Sequence, residues 1–360
     1  MHVRRLLTGL LVIAGIGLAQ NAAAEITWSG AIRNDLYVFD RDGQAMAFDL
    51  LENQLVLQRS TPEWRFYGDL RVNLYRGDLA GLADTGDAEL PPELMRVRVL
   101  RGFVRYFSEA GDITVGKTYV NFGVAGLFNP FELDRAYNVT DVGYTREGVI
   151  AVTDEIAFGD LAGLKLYLSP SADNSQMAGG ADAHFHVGSF DAGVVGQRVG
   201  RDNTVIGAYA KGDLELGVQA AAACHLDDHG SYRYAEAAAG ADYSFGEGKW
   251  VATVLGYYNG GAAVDRDSLV PLGSATAFSS RFYVYADLRW APDEFSQARV
   301  SCLVNASDGS SLVIPSATWM LADGLSLNLQ ALVPTGTAGT QYSSTSLGRV
   351  IGLARVEAKL

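Results

Sequence analysis

Residues 64–75 read WRFYGDLRVNLY, and the fold follows from how these letters alternate. Trp64, Phe66, Gly68, Leu70, Val72 and Leu74 fall on one face of an extended chain, and Arg65, Tyr67, Asp69, Arg71, Asn73 and Tyr75 on the other, because successive side chains of a strand point to opposite sides. The apolar face then meets lipid and the charged face meets water, the reverse of a soluble protein built round a dry core. A secreted β-sandwich, propeller or β-helix is the alternative arrangement.

Similar segments recur outward from this one, from Glu25–Phe39 to residues 347–359. They number about 18, with 16 as the alternative count. Tight links at Ser60-Thr61-Pro62, Glu109-Ala110-Gly111, Lys211-Gly212-Asp213, Gly246-Glu247-Gly248 and Ala322-Asp323-Gly324 alternate with longer ones at 40–50, 76–94, 123–146, 261–278 and 334–346. Short and long links in alternation on an even strand count describe an all-β, transmembrane antiparallel β-barrel with both termini at the periplasmic end. The last strand ends in Leu360 where bacterial outer-membrane barrels usually carry an aromatic residue.

The ends of the chain and its composition agree with export. Arg4 and Arg5, an apolar run from Leu6 to Leu18 that is too short to span a bilayer as a helix, and Ala22-Ala23-Ala24 read as a secretory signal over residues 1–24. Residues 25–360 are expected to form a single barrel domain. The formal net charge is −13, and the signal removes two arginines and no acids; such a chain is not a nucleic-acid binder. Cys224 and Cys302 share parity with apolar neighbours on strands four apart, too far for a disulfide. They read as small outward-facing residues.

Two features point into the lumen. Arg65, Arg71, Arg98, Arg101, Arg105 and Lys117 lie on neighbouring strands and, facing inward, build a cationic wall; the alternation Arg96-Val97-Arg98-Val99-Leu100-Arg101 admits either parity or a bulge. A basic wall inside a low-dielectric barrel favours anions; the same arginines snorkelling to the membrane edges are the other reading. The connection 123–146 carries Leu127, Phe128, Pro130, Phe131 and Leu133, too greasy for an open surface loop. It is expected to fold back into the barrel, anchored by Phe128, Phe131 and Leu133, with Glu132, Asp134 and Asp141 bordering the pore.

This third long connection resembles the third extracellular loop of the classical porins, which folds into the barrel and sets loop carboxylates against a basic wall. The tract Val115-Gly116-Lys117, Asn121-Phe122-Gly123, Phe128-Asn129-Pro130 also looks like the Gly-Lys…Phe-Gly segment of phosphate-selective and related porins. The resemblance implies a water-filled channel for passive diffusion of small hydrophilic solutes or ions in the bacterial outer membrane, surrounded by lipid and in many relatives assembled as a homotrimer.

Catalytic signatures are missing. Asp182, His184 and His186 share one face of a strand, but a metal site wants three or four ligands and outer partners, so these read as polar lining and no cofactor is expected. No Gly-x-Ser-x-Gly tract or Gly-Lys-Ser/Thr phosphate loop occurs. An outer-membrane enzyme using the histidines, or a closed structural or adhesive barrel, are the rival readings to a porin.

Overall fold

The computed structural model describes residues 26–41, 44–77, 93–124, 126–132, 146–170, 177–200, 203–262, 278–344 and 350–360. The alternating segments become strands β1 (Ile26–Arg41), β2 (Gln44–Ser60), β3 (Trp64–Gly77), β4 (Glu93–Ser108), β5 (Gly111–Thr118), β6 (Val149–Ala157), β7 (Ala162–Ser169), β8 (Ala178–Val187) and β9 (Phe190–Val199). The second half supplies β10 (Asn203–Asp213), β11 (Gly217–Leu226), β12 (Tyr232–Phe245), β13 (Trp250–Asn259), β14 (Phe282–Trp290), β15 (Ser296–Asn305), β16 (Ser310–Ala322), β17 (Leu325–Pro334) and β18 (Ile351–Lys359). Each strand pairs with the next, and β18 pairs antiparallel with β1, so the 18-stranded sheet closes on itself and has no free edge. Gly30 and Leu360 exchange two backbone hydrogen bonds of 3.2 and 2.8 Å at the seam. The non-aromatic C-terminal residue therefore still completes the ladder.

The alternation sorts side chains by face. On β1, Trp28, Ile32 and Leu36 are 65, 41 and 46% exposed, whereas Ala31, Asp35 and Tyr37 are 6, 1 and 7% exposed. The apolar residues point out of the ring and the polar ones into it, as the charged face of β3 requires. Near the short-turn end, Tyr243, Phe245, Trp250 and Trp290 stack in a row across β12, β13 and β14, with ring centroids 5.6–6.2 Å apart.

Three boundaries differ from the sequence reading. The long first connection expected at 40–50 is instead strand: β1 and β2 stay paired out to Arg41 and Gln44. The reason is an inward aromatic pair, Tyr37 stacked on Phe48 at 4.3 Å, which puts apolar residues on both faces and hides the period. The turn placed at Lys211-Gly212-Asp213 lies at 214–216, because Asp213 still pairs with Gly217. Strand β5, expected to run to residue 122, stops at Thr118, where the chain turns inward.

Candidate functional site

A bulge decides the basic wall. Asp69 of β3 faces Arg101 of β4, but Leu70 faces Val99, leaving Leu100 as the extra residue. That one-residue shift puts Arg98 opposite Arg71 and Arg96 opposite Asn73, on the same inner face as Arg101 and Arg105. Val97 and Val99 point outward and are 57 and 49% exposed. The carbonyl of Leu100 accepts a hydrogen bond from the amide of Gly148 at 2.9 Å, so the bulge also tethers the returning end of the 119–148 connection.

Acids on adjacent strands neutralise part of this wall. Glu52 lies 2.5 Å from Arg33 and 2.9 Å from Arg71, Arg33 reaches Glu357 at 3.2 Å, and Arg355 holds Asp35 through bonds of 2.7 and 2.6 Å. Arg101 lies 3.6 Å from Asp69, and Arg105 lies 3.7 Å from Glu155. Arg65, Arg96 and Arg98 have no acidic partner among the described residues. Arg65 and Arg96 lie over the rings of Phe107 and Tyr75 at 5.7 and 5.8 Å, and Arg65 Nε and Arg98 Nε are buried without a hydrogen-bond partner.

Lys117 does not join them. It pairs with Gly102 and Ile150 and shares its register with Ile113, 41% exposed, while Ile150 is 47% exposed. This register is the outward face, and Lys117 there meets Glu147. The period-2 rule places Lys117 outside once β5 is fixed by Thr114, fully buried inside.

Opposite the arginines, the 119–132 segment runs inside the barrel. Phe122, Phe128 and Phe131 are 1–2% exposed. Phe122 meets Tyr167 of β7 edge-on at 5.1 Å, Phe131 lies 6.3 Å from Tyr209 of β10, and Phe128 stacks on Tyr257 of β13 at 5.0 Å and 3°. The loop thus crosses the lumen from β5 to the wall eight strands on. Small inner residues make room for it: Ala221, Ala223 and Ala238 are buried in the same cluster. At Gly207, a Cβ would fall 2.8 Å from the Phe131 ring. The loop turns at Gly123, whose φ of +77° favours glycine, and Asn129 fixes the next bend by donating to Phe122 O and accepting from Phe131 N. Gln197 Nε2 donates to Phe131 O at 3.2 Å.

The loop's acid meets a cation from its own returning arm. Glu132 lies 2.8 Å from Arg146. Arg146 also bonds Asn121 and sits 5.3 Å from the Tyr119 ring, and that ring lies 4.8 Å from Arg101. Arg101 in turn touches Tyr67. An aromatic–guanidinium chain therefore joins the basic wall to the loop. Leu133, expected as a third anchor, and Asp134 and Asp141, expected at the pore border, lie outside the described residues. The sequence reading passed over Arg146 and Tyr119; Tyr119, one residue past β5, was the available signal.

A second connection also packs inward. In the link after β17, Tyr342 is 1% exposed and packs in the loop's aromatic cluster. Its amide donates to Ser310 Oγ at 3.1 Å, and Gln341 N donates to Asp308 at 2.8 Å. Burial raises the Tyr342 phenol well above its ordinary pKa. A lone tyrosine amid Gly, Ser and Thr was the only trace of this in the sequence.

His184 and His186 line one cavity. Asp182 accepts from Tyr209 OH at 3.0 Å on both oxygens, and His186 Nδ1 lies 2.8 Å from Asp191. Together with His184, Glu155 and Lys165 they line a cavity of about 720 Å³ under the loop. No group of three or more potential metal ligands converges among the described residues. Cys224 and Cys302 are free.

A closed ring of 18 antiparallel strands, apolar outside and charged inside, narrowed by an inward loop, is the porin fold. The outer membrane protein OprD from Pseudomonas aeruginosa shares it, with a TM-score of 0.60 at 10% identity, covering 95% of each chain. Acinetobacter baumannii OccAB1 gives 0.60 at 9% identity over 95% of this chain and 99% of that one. Salmonella typhi OmpF gives 0.52 at 11% identity over 94 and 98%. At these identities the likeness is one of fold. No protein-family model and no curated protein matches the chain.

Proposed function

We propose that this chain is an outer-membrane porin: a water-filled channel through which small hydrophilic solutes diffuse passively, with a preference for anions. The observation that carries the reading is the seat of the 119–132 loop, buried against the far wall by three phenylalanines while the opposite wall stays polar and charged. A barrel of this strand number leaves an aqueous lumen. A loop that fills one side of it sets the bore without sealing it.

The preference follows from Arg65, Arg96 and Arg98, three neighbouring inner cations of β3 and β4 that have no acidic partner among the described residues. Between low-dielectric walls their potential raises the local concentration of anions. Arg33, Arg71, Arg101 and Arg355 contribute less, because Glu52, Glu357, Asp69 and Asp35 offset them. The long-loop end then faces the cell exterior and the short turns the periplasm, and the signal over residues 1–24 delivers the chain there. Transport so conceived is size filtering and electrostatics, with no covalent step.

Liposome swelling tests this reading. Vesicles carrying the protein should swell in isotonic solutions of small sugars and organic acids, at rates that fall with solute size and favour the acids over neutral solutes of equal size. Vesicles that swell no faster than protein-free ones would identify a closed barrel, and swelling indifferent to charge would remove the anion preference alone.

A further inference from the structure

Behind the seat of the inward loop lies a buried polar network. His225 on β11 and Glu236 on β12 belong to the inner face of the wall and are 0 and 1% exposed. His225 Nε2 lies 3.3 Å from Glu236 Oε1 and has no hydrogen bond to any other group among the described residues. On the other side of the ring, Nδ1 lies 3.0 Å from Asn203 Oδ1 at the start of β10. Tyr234 of β12 covers the ring face, stacked at 4.2 Å and 14°, and a Cβ at Gly261 would fall 2.8 Å from Tyr234. Glu236 Oε2 accepts a hydrogen bond from Tyr257 OH at 3.1 Å. Among the described residues, the titratable groups in this set are His225, Glu236, Tyr234 and Tyr257.

Hydrogen-bonding capacity fixes where the protons sit. A carboxamide oxygen only accepts, so Nδ1 carries a hydrogen. A neutral imidazole then has a bare lone pair at Nε2, and it faces a carboxylate, which also only accepts when ionised. Two acceptors 3.3 Å apart and closed off from water are both left unsatisfied, which is costly. One further proton removes the conflict, whether it rests on Nε2 or on the carboxyl, and it belongs to the pair rather than to either residue. The pair so protonated carries no net charge, which suits its burial.

The same carboxyl group holds the loop. Tyr257, tied to Glu236 through its hydroxyl, presents the ring on which Phe128 stacks, and Phe278 meets the Phe128 and Tyr257 rings edge-on at 4.8 and 5.9 Å. We infer that His225 and Glu236 are positioning residues for the constriction: the proton they share fixes Glu236, Glu236 fixes Tyr257, and Tyr257 seats Phe128. Removing that proton sets the carboxylate against the bare Nε2. A Glu236 that swings away from this conflict lets go of Tyr257, and the loop loosens. A second proton leaves an imidazolium beside a neutral carboxyl, a buried charge without a counter-ion. The loop is therefore held most firmly at intermediate pH. Both residues are shielded from permeating solutes, so they act on the pore through the loop. Only the consequence for transport rests on the proposed function; the seat of the loop is read without it.

Hydrogen exchange of the 119–132 amides, measured on the full-length barrel in detergent and corrected for intrinsic rate, tests it without recording a current. Glu236→Ala is expected to speed exchange about tenfold or more, the cost of unpaired buried polar groups. Glu236→Gln supplies an uncharged copy of the network, its amide donating to Nε2 and its oxygen accepting from Tyr257. Exchange in that variant should stay at the wild-type rate near neutral pH. As pH rises through the loss of the shared proton, the wild-type loop should loosen by up to about tenfold per pH unit. Glu236→Gln, with no such proton to lose, should not. Heat-modifiable migration shows that each barrel is intact, and if Glu236→Ala does not fold, the comparison of wild type with Glu236→Gln decides alone. Glu236→Gln exchanging as fast as Glu236→Ala, or wild type and Glu236→Gln sharing one profile between about pH 6 and 10, would overturn the shared proton. In planar bilayers, open-channel noise should rank the variants in the same order. A wild-type chain that gives no conductance steps overturns the channel reading instead and leaves the exchange result to decide the role of the pair.

Discussion

Replacing Phe128 with Ala removes the ring that holds the inward loop to the far wall. That ring is 2% exposed, lies within 3° of parallel to Tyr257 at 5.0 Å, and takes the edge of Phe278 at 4.8 Å. Emptying such a site costs about 3–5 kcal/mol, of which each aromatic pair accounts for about 0.5–1.5 kcal/mol. The loss falls on the equilibrium between seated and unseated loop, because Phe128 lies in a short 3-10 turn outside the strands that form the ladder. A loss of about 3 kcal/mol raises the unseated population by roughly a hundredfold. Adding Phe131→Ala removes the second anchor, 1% exposed beside Tyr209, and should make the unseated loop the main species. In planar bilayers the double variant is expected to show larger and noisier single-channel currents, while heat-modifiable migration confirms an intact barrel. A folded double variant with wild-type conductance and noise would refute the argument that these rings set the bore.

Other outcomes follow from the same contacts. Arg65→Glu with Arg98→Glu should move the reversal potential in a salt gradient toward cation preference, more at low than at high ionic strength because salt screens the wall; an unchanged potential would show that these cations do not face the permeation path. Tyr119→Ala removes the ring between Arg101 and Arg146, about 0.5–2 kcal/mol per cation–ring contact, and should increase open-channel noise. Tyr119→Phe, which keeps the ring and loses only the 2.8 Å bond to Arg146 O, should record like the wild type. Tyr342 is neutral in the fold because burial raises its pKa. The folded value lies above the unfolded one near about 10, so the contribution to stability is present below that pH and is lost as pH rises above it. Tyr342→Phe should therefore lose less thermal stability than wild type between about pH 9 and 11, and equal losses would contradict the burial argument.

Most of the barrel was legible because one physical rule governs it. Wherever lipid lies outside and water inside, period 2 becomes visible, and β3 displays it in full. The rule fails where both faces are apolar: Tyr37 and Phe48 face inward as a stacked pair, so Ala45 to Leu50 read as a loop. The inward course of 119–132 was legible from its phenylalanines, since a surface loop does not bury such residues. The small inner faces of β10, β11 and β12 that receive them were visible only as an alanine run, with nothing to say which loop they served. The register of Arg98 turned on whether a bulge existed, and period alone leaves that open. Lys117 was misplaced because β5 is short and the residues after it turn inward. The acids that offset Arg71, Arg101 and Arg105 come from β2, β3 and β6, and the Arg33–Glu357 and Arg355–Asp35 pairs form across the β1–β18 seam, a juxtaposition that ring closure creates and no local pattern encodes.

The central claim is an open, loop-narrowed, water-filled pore. Planar-bilayer recording of the wild-type chain tests it most directly. The account predicts discrete, long-lived conductance steps and a reversal potential of the sign set by anion permeation. A correctly folded barrel that inserts and gives no steps would contradict it.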